Sequence, residues 1–234
     1  MPPSSHDTAD TPAGRRLVVA VDGPSGSGKS SVSREVARRL GLRYLDTGAM
    51  YRALTWWALE RGVDPADQPV VAELARKLPL EIATTTDSTQ LTVDGQDVSA
   101  AIREPRISAA VSAVATNLEV RAELVRRQRE IAADGGIVVE GRDITTVVAP
   151  DADVRILLTA TEAARLARRA LEVHGRDDDA AIDATRDHVV RRDEQDATVA
   201  DFLEAGEGVT VVDSSDLSFE ETVRAILDLV AARR

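Results

Sequence analysis

Cysteine is absent from all 234 residues, so the chain can form no disulfide, no thiolate metal site and no cysteine nucleophile. Positive charge is scarce too: 29 lysines and arginines face 40 aspartates and glutamates, a formal net charge of −11. A polynucleotide-binding surface usually needs a basic face, so this balance argues against one. It does not argue against a small phosphorylated substrate, which needs only a few local arginines. No apolar run approaches the roughly 18 residues of a membrane-spanning helix, so no membrane partner is expected. Residues 1–15 hold Pro, Ser, Thr, Ala and Asp without a hydrophobic segment. That composition predicts a disordered tail rather than a signal peptide, and a cytoplasmic location.

What is present begins with Gly23-Pro24-Ser25-Gly26-Ser27-Gly28-Lys29-Ser30, a complete P-loop. It follows the apolar run Leu17–Val21 and leads into a helical pattern from Ser31, which is the strand, loop, helix context that the motif needs. Glycines let backbone wrap closely round an anion, and the N–H groups with the helix N-terminus then face the phosphates of ATP. Lys29 is placed to reach the β- and γ-phosphates, and the Ser30 hydroxyl to bind Mg²⁺. A chain of this length matches the pattern by accident roughly one time in a hundred.

Apolar runs at 17–22, 43–45, 137–140, 154–159 and 209–213 alternate with helical segments. This predicts an α/β fold with a doubly wound, five-stranded parallel sheet and helices on both faces, in a single domain over 16–234. The expected helices run from about 28 to 40, 49 to 61, 66 to 77, 107 to 133, 161 to 173, 179 to 194 and 219 to 232. Residues 79–103 break the alternation. Leu80–Ile82, Gln90–Val93 and a return through Val98, with a turn at Asp94-Gly95, predict a small strand-containing insert.

Active residues in such folds sit at the carboxyl ends of the strands. Two ends besides the P-loop carry suitable chemistry: Asp46-Thr47-Gly48-Ala49-Met50-Tyr51-Arg52 and Glu140-Gly141-Arg142-Asp143. An arginine after each suits a second phosphate, because guanidinium is planar, bidentate and always charged. A further basic cluster, Arg165, Arg168, Arg169, Arg176, Arg191 and Arg192, surrounds the polar break at 174–179. It reads equally as a mobile lid over the transferring phosphoryl group and as a salt-bridged surface helix. His6, His174 and His188 have no metal-ligand spacing, and at least one of the adjacent Trp56 and Trp57 is expected in the core.

Together these segments resemble the bacterial cytidylate kinase family over about 17–230. The landmarks are GPSGSGKSS at 23–31, YLDTGAMYR at 44–52, VDGQDVSAAIR at 93–103, VEGRDITTVVAPDADV at 139–154 and RRDEQD at 191–196. The resemblance implies a P-loop fold with an enlarged monophosphate-binding region, about 63–135, and a lid, about 165–200. It implies transfer of the γ-phosphoryl group from ATP to CMP or dCMP with Mg²⁺, by a chain expected to act as a monomer. Carried over, Lys29, Arg142 and Arg192 are the catalytic residues, and Gly23 to Ser31 with Arg168 hold ATP. Thr47, Tyr51, Arg52, Ser112, Arg121, Arg142, Asp143, Arg192 and Asp196 form the acceptor site. Within it, Arg52, Arg142 and Arg192 bind the phosphate, Ser112, Arg121 and Asp143 read cytosine, and Asp196 lies near the sugar. Beside these, Glu140 at its strand end is expected to orient a magnesium-bound water.

One departure stands out. The family usually continues D-[SN]-x-R, whereas this chain reads Asp196-Ala197-Thr198-Val199, so Val199 stands where an arginine is expected. Two other readings of the residues remain open: a P-loop kinase for another phosphorylated acceptor, and a non-catalytic ATP-binding regulatory protein. A GTPase switch lacks support, since there is no N-K-x-D guanine motif.

Overall fold

The computed structural model describes residues 16–88 and 90–233, without the side chains of Asp187 and His188. The expected tail, with His6, lies outside the described residues, as does the side chain of His188.

Strand β1 (Val18–Asp22) is buried along its whole length. It lies at the centre of a five-stranded sheet with β2 (Arg43–Asp46), β6 (Ile137–Gly141), β7 (Val154–Thr159) and β8 (Thr210–Asp213), in the order β2-β6-β1-β7-β8. Every pairing is parallel, in register Val19 to Val138 and Val19 to Val154. A parallel sheet is covered on both faces, which is why its central strands read as near-continuous apolar runs.

Alternation along β1 supplies both layers. Val19 and Val21 pack with Val32 and Val36 of α1 (Lys29–Leu40) and with Val223 and Ile226 of α8 (Phe219–Ala231). Val18 and Ala20 face the larger core, with Met50 and Leu54 of α2 (Thr47–Glu60), Ile107 of α4 (Pro105–Ala115) and Leu124 of α5 (Leu118–Ala132). Trp56 and Trp57 both belong to that core, each 6% exposed.

Beyond α3 (Gln68–Lys77), strands β3 (Leu80–Ile82), β4 (Leu91–Val93) and β5 (Gln96–Asp97) form a separate antiparallel sheet. Asp94 and Gly95 turn the hairpin with φ of 53° and 74°, the left-handed pair that a tight two-residue loop requires. After β7, α6 (Glu162–His174) and α7 (Asp179–Asp196) pack against each other as a helical hairpin, and α7 also meets α4.

One expected element is corrected. The single helix over 107–133 is two helices, α4 and α5, separated at Asn117. Asn117 Oδ1 accepts the Glu119 and Val120 N–H groups at 3.1 and 3.3 Å, and its Nδ2 donates to Gln68 O at 2.8 Å. Apolar periodicity runs through both helices, but an asparagine that can cap a new one outcompetes continuation of the first. Among the described residues no helix is long and apolar enough to cross a membrane.

Candidate active site

The carboxyl ends of β1, β2 and β6 open onto one cavity of about 460 Å³, closed on its other sides by α4, α6 and α7. The P-loop forms its floor. Gly26 sits at φ 76°, and a Cβ there would lie 2.5 Å from Arg165 O, so the loop backbone packs directly against α6. Only glycine meets both conditions. Lys29 opens α1 and lines the cavity, its Nζ 3.4 Å from Pro24 O. Enclosure by protein lowers its ammonium to about 8, and the nearby Arg142 charge pushes the same way.

Glu140, 2% exposed, is the hub where the strand ends meet. Its Oε1 accepts the Ser30 hydroxyl at 2.7 Å and the Tyr44 hydroxyl at 3.2 Å, and its main-chain oxygen accepts Thr47 Oγ1 at 2.8 Å. Burial raises the Glu140 carboxyl above its usual range, and Asp46 adds to the rise. Asp46 caps α2 by accepting Ala49 N–H at 2.9 Å and receives Arg52 Nη2 at 2.7 Å. Burial alone would raise the Asp46 carboxyl, but Arg52 and the Ala49 N–H outweigh it and hold it low. Ser30, Glu140 and Asp46 therefore present hard oxygen donors beside the P-loop. Among the described residues no cluster of three or more acidic or histidine side chains forms a metal cage. That donor set fits a magnesium ion held mainly by nucleotide phosphates, with only one or two protein oxygens contributing.

At the end of β6 the chain must pass close to β2: a Cβ on Gly141 would lie 2.4 Å from Thr47 Oγ1. Arg142 then crosses the cavity mouth. It donates to Gly23 O at 3.1 Å, Ser25 Oγ at 3.0 Å and Asp196 Oδ2 at 3.1 Å, and its guanidinium lies 4.2 Å from the centre of the buried Phe202 ring. Asp143 forms an ion pair with Arg121. Burial raises the Asp143 carboxyl, with Arg121 opposing. A π-helical turn, Ile144–Val148, follows. Asp22, at the end of β1, accepts Ile144 N at 2.7 Å, Thr145 N at 2.9 Å and Thr145 Oγ1 at 2.6 Å, so it ties the Arg142-Asp143 segment to the strand that carries the P-loop.

From α4, Ser112 Oγ donates to Asp196 Oδ1 at 3.1 Å, and Arg192 Nε lies 3.7 Å from Asp196 Oδ2. Burial lowers the Arg192 guanidinium to about 10, with Arg142 adding to the effect. Arg52 Nε and Arg192 Nε are both buried without a hydrogen-bond partner. Such orphan donors are costly unless a ligand satisfies them.

The expected site residues therefore meet in one place. The cavity is lined by Thr47, Tyr51, Arg52, Arg121, Arg142, Asp143, Arg192 and Asp196, with Lys29, Ser30 and Ser31 beside them. Ser112 reaches it through Asp196. Arg168 turns instead to Ser27 O and Ser214, along the outer side of the P-loop. Of the other basic residues around the polar break, Arg165 donates to Ser25 O at 2.9 Å, and Arg169 lines the cavity while paired with Glu172. Arg176 pairs with Asp178 at the surface, and Arg191 is exposed. The cluster is thus divided between residues that face the P-loop or the cavity and residues at the surface. Sequence reasoning missed Asp22, Asp193 and Phe202, and it did not single out Arg103, which also lines the cavity. Each stood in or beside a segment already noted, but only tertiary contact distinguishes it from its neighbours. Val199 and Ala200 complete the wall.

A family model described as cytidylate kinase matches residues 19–232. A cytidylate kinase of Cutibacterium acnes is 52% identical over 92% of this chain and 96% of its own length. One of Rhodococcus opacus is 48% identical over 93% of this chain and 96% of its own. Among solved structures, an uncharacterized protein of Eubacterium ventriosum superposes with a TM-score of 0.51 at 10% identity, covering 93% of this chain and 99% of that one; it shares the fold only. With the matched model spanning nearly the whole chain and half of all positions shared with a curated relative, the chain belongs to the cytidylate kinase family.

Proposed function

We propose that this chain transfers the γ-phosphoryl group of ATP to CMP or dCMP, giving CDP or dCDP. The observation that carries the reading is the convergence of the P-loop with Arg52, Arg142 and Arg192 on one cavity, two of them with unpartnered buried Nε donors. A P-loop alone calls for one phosphate chain; three further arginines at the same mouth call for a second anion.

In this reading Gly23 to Ser31 cradle the donor phosphates and Arg168 stands beside the donor nucleotide. Arg52, Arg142 and Arg192 hold the acceptor phosphate, with Arg103 at the rim. Asp143, oriented by Arg121, accepts from the cytosine amine, a donor that uracil lacks. Asp196, braced by Ser112, lies near the sugar, and Thr47 and Tyr51 shape the pocket. The acceptor's phosphate oxygen is already anionic at neutral pH, so no dedicated base is required. Lys29 and the arginines align the two phosphates and neutralise charge as it moves between them. Magnesium, held with the nucleotide by Ser30 and through water by Glu140, would neutralise the β- and γ-phosphate charge. Residues 63–135 supply the monophosphate-binding region and 165–200 the lid. A monomer acting in the cytoplasm, with no polynucleotide or membrane partner, completes the proposal.

A coupled ADP-release assay with CMP, dCMP, UMP and AMP tests it. Turnover should be fastest on CMP or dCMP. Comparable turnover on UMP would overturn the base assignment, and ATP binding without transfer to any monophosphate would favour a regulatory role.

A further inference from the structure

Asp193, on α7, makes contacts that a lid residue has no structural need of. Its Oδ1 accepts the Ser25 N–H of the P-loop at 3.0 Å and lies 2.9 Å from Arg142 Nη2. Its Oδ2 receives Arg165 Nη1 at 2.5 Å. Three donors from three separate elements, the P-loop, the turn after β6 and α6, converge on one carboxylate that is 6% exposed. A P-loop amide with two guanidiniums is an environment built for a phosphoryl group. The Asp193 carboxylate fills that seat, with Asp196 sharing the Arg142 guanidinium.

The position fits the group in transit. Ser25 stands at the end of the loop away from the Ser30 hydroxyl. Arg142 joins the two sides of the cavity, since it touches Gly23 and Ser25 of the P-loop and also Asp196, which borders the acceptor region. Resting on the proposed use of the P-loop as donor site, we propose that Asp193 occupies the seat of the donor's terminal phosphoryl group and sets the preference between triphosphate and diphosphate. Asp193 and that group carry like charge and share the same donors, so they cannot occupy the enclosed seat together. A triphosphate must displace Asp193, whereas a diphosphate leaves it in place. Once the phosphoryl group has passed to the acceptor, Asp193 returns to Ser25, Arg142 and Arg165. Its return favours the diphosphate product over rebinding of triphosphate in the resting protein. The swing has a hinge available: α6 ends at Gly175, φ 68°, a few residues before α7 begins.

The rival reading makes Asp193 a permanent clamp that orients Arg142 and Arg165. Equilibrium binding of two probes separates the two. The dissociation constants of Mg²⁺ with the imido-bridged ATP analogue, and of Mg²⁺ with ADP, are measured by titration calorimetry for the full chain and for Asp193→Asn. Removing the competing charge should tighten the analogue about tenfold and leave ADP within about twofold. Parallel weakening of both nucleotides, or weakening of the analogue alone, would overturn the proposal and make Asp193 a clamp. Asp193→Ala carries the same comparison should the asparagine variant fail to fold. Absence of binding of either nucleotide to the unaltered chain would overturn the kinase reading itself and the inference with it, an outcome distinct from a change confined to the variant.

Discussion

The Ser30 hydroxyl donates to Glu140 Oε1 at 2.7 Å, joining the start of α1 to the end of β6 across 110 residues of sequence. A buried carboxylate thereby aims the one P-loop hydroxyl suited to magnesium. Glu140→Gln removes the charge while keeping the shape. The half-saturating Mg²⁺ concentration for turnover should rise about tenfold, with a smaller change in the CMP KM. Unchanged Mg²⁺ dependence of the initial rate would show that Glu140 has no part in holding the ion.

Lys29 gives a pH prediction of two opposite signs. Its ammonium titrates near 8 in the free protein against an ordinary 10.5. Between those values the folded chain binds fewer protons than the unfolded one, so the cost of enclosing the charge is relieved as pH rises, and this group's contribution to stability improves. Nucleotide affinity moves the other way, because the neutral amine no longer attracts phosphate. Dissociation constants for MgATP measured from about pH 7 to pH 10 should weaken above about pH 8 in the unaltered chain and stay flatter in Lys29→Arg. Lys29→Ala should reduce transfer by about a thousandfold or more with the thermal unfolding midpoint retained.

The ion pair of Asp143 with Arg121 predicts a substrate-selective loss. Asp143→Ala removes the acceptor offered to the cytosine amine and leaves Arg121 half-buried and unpaired. CMP binding should weaken by about 1.5–3 kcal/mol while ATP binding changes by much less. Equal losses for both nucleotides, measured side by side, would remove Asp143 from the base site.

Val199 lines the cavity at the position where the resemblance to the cytidylate kinase family leads to an expected arginine. Val199→Arg should therefore restore a charge-assisted contact and lower the CMP KM about tenfold. A higher KM would show instead that Arg103 or Arg192 already fills the position and that the added guanidinium collides with it.

How much of this could be read in the chain depends on the kind of signal. The central strands β1 and β6 were legible because each is buried along its whole length and so is mostly apolar, and the outer strands because shorter apolar runs recur between helices. The hairpin at Asp94-Gly95 was legible because only a few residue pairs accept two left-handed positions. The boundary at Asn117 was not, since apolar periodicity continues across it and the interruption rests on a side chain finding Gln68 O. The division of the arginines between α6, α7 and the surface was equally invisible. The sequence presents Arg165, Arg168 and Arg169 as members of one basic cluster, but only packing sends the first two to the P-loop and lets the third pair with Glu172.

The sequence by itself determined the chemistry on offer: a P-loop, arginines after two further strands and a charge balance suited to small anions. These are local patterns, set by backbone geometry and residue type within a few positions. Tertiary structure alone decided that Glu140 meets Ser30, that Asp22 braces the Arg142-Asp143 turn, and that Asp193 rests on Ser25 with Arg142 and Arg165. The Ser30–Glu140, Asp22–Ile144 and Ser25–Asp193 contacts join residues more than a hundred positions apart, Asp193 reaches Arg142 and Arg165 over shorter separations, and no periodicity along the chain encodes any of them.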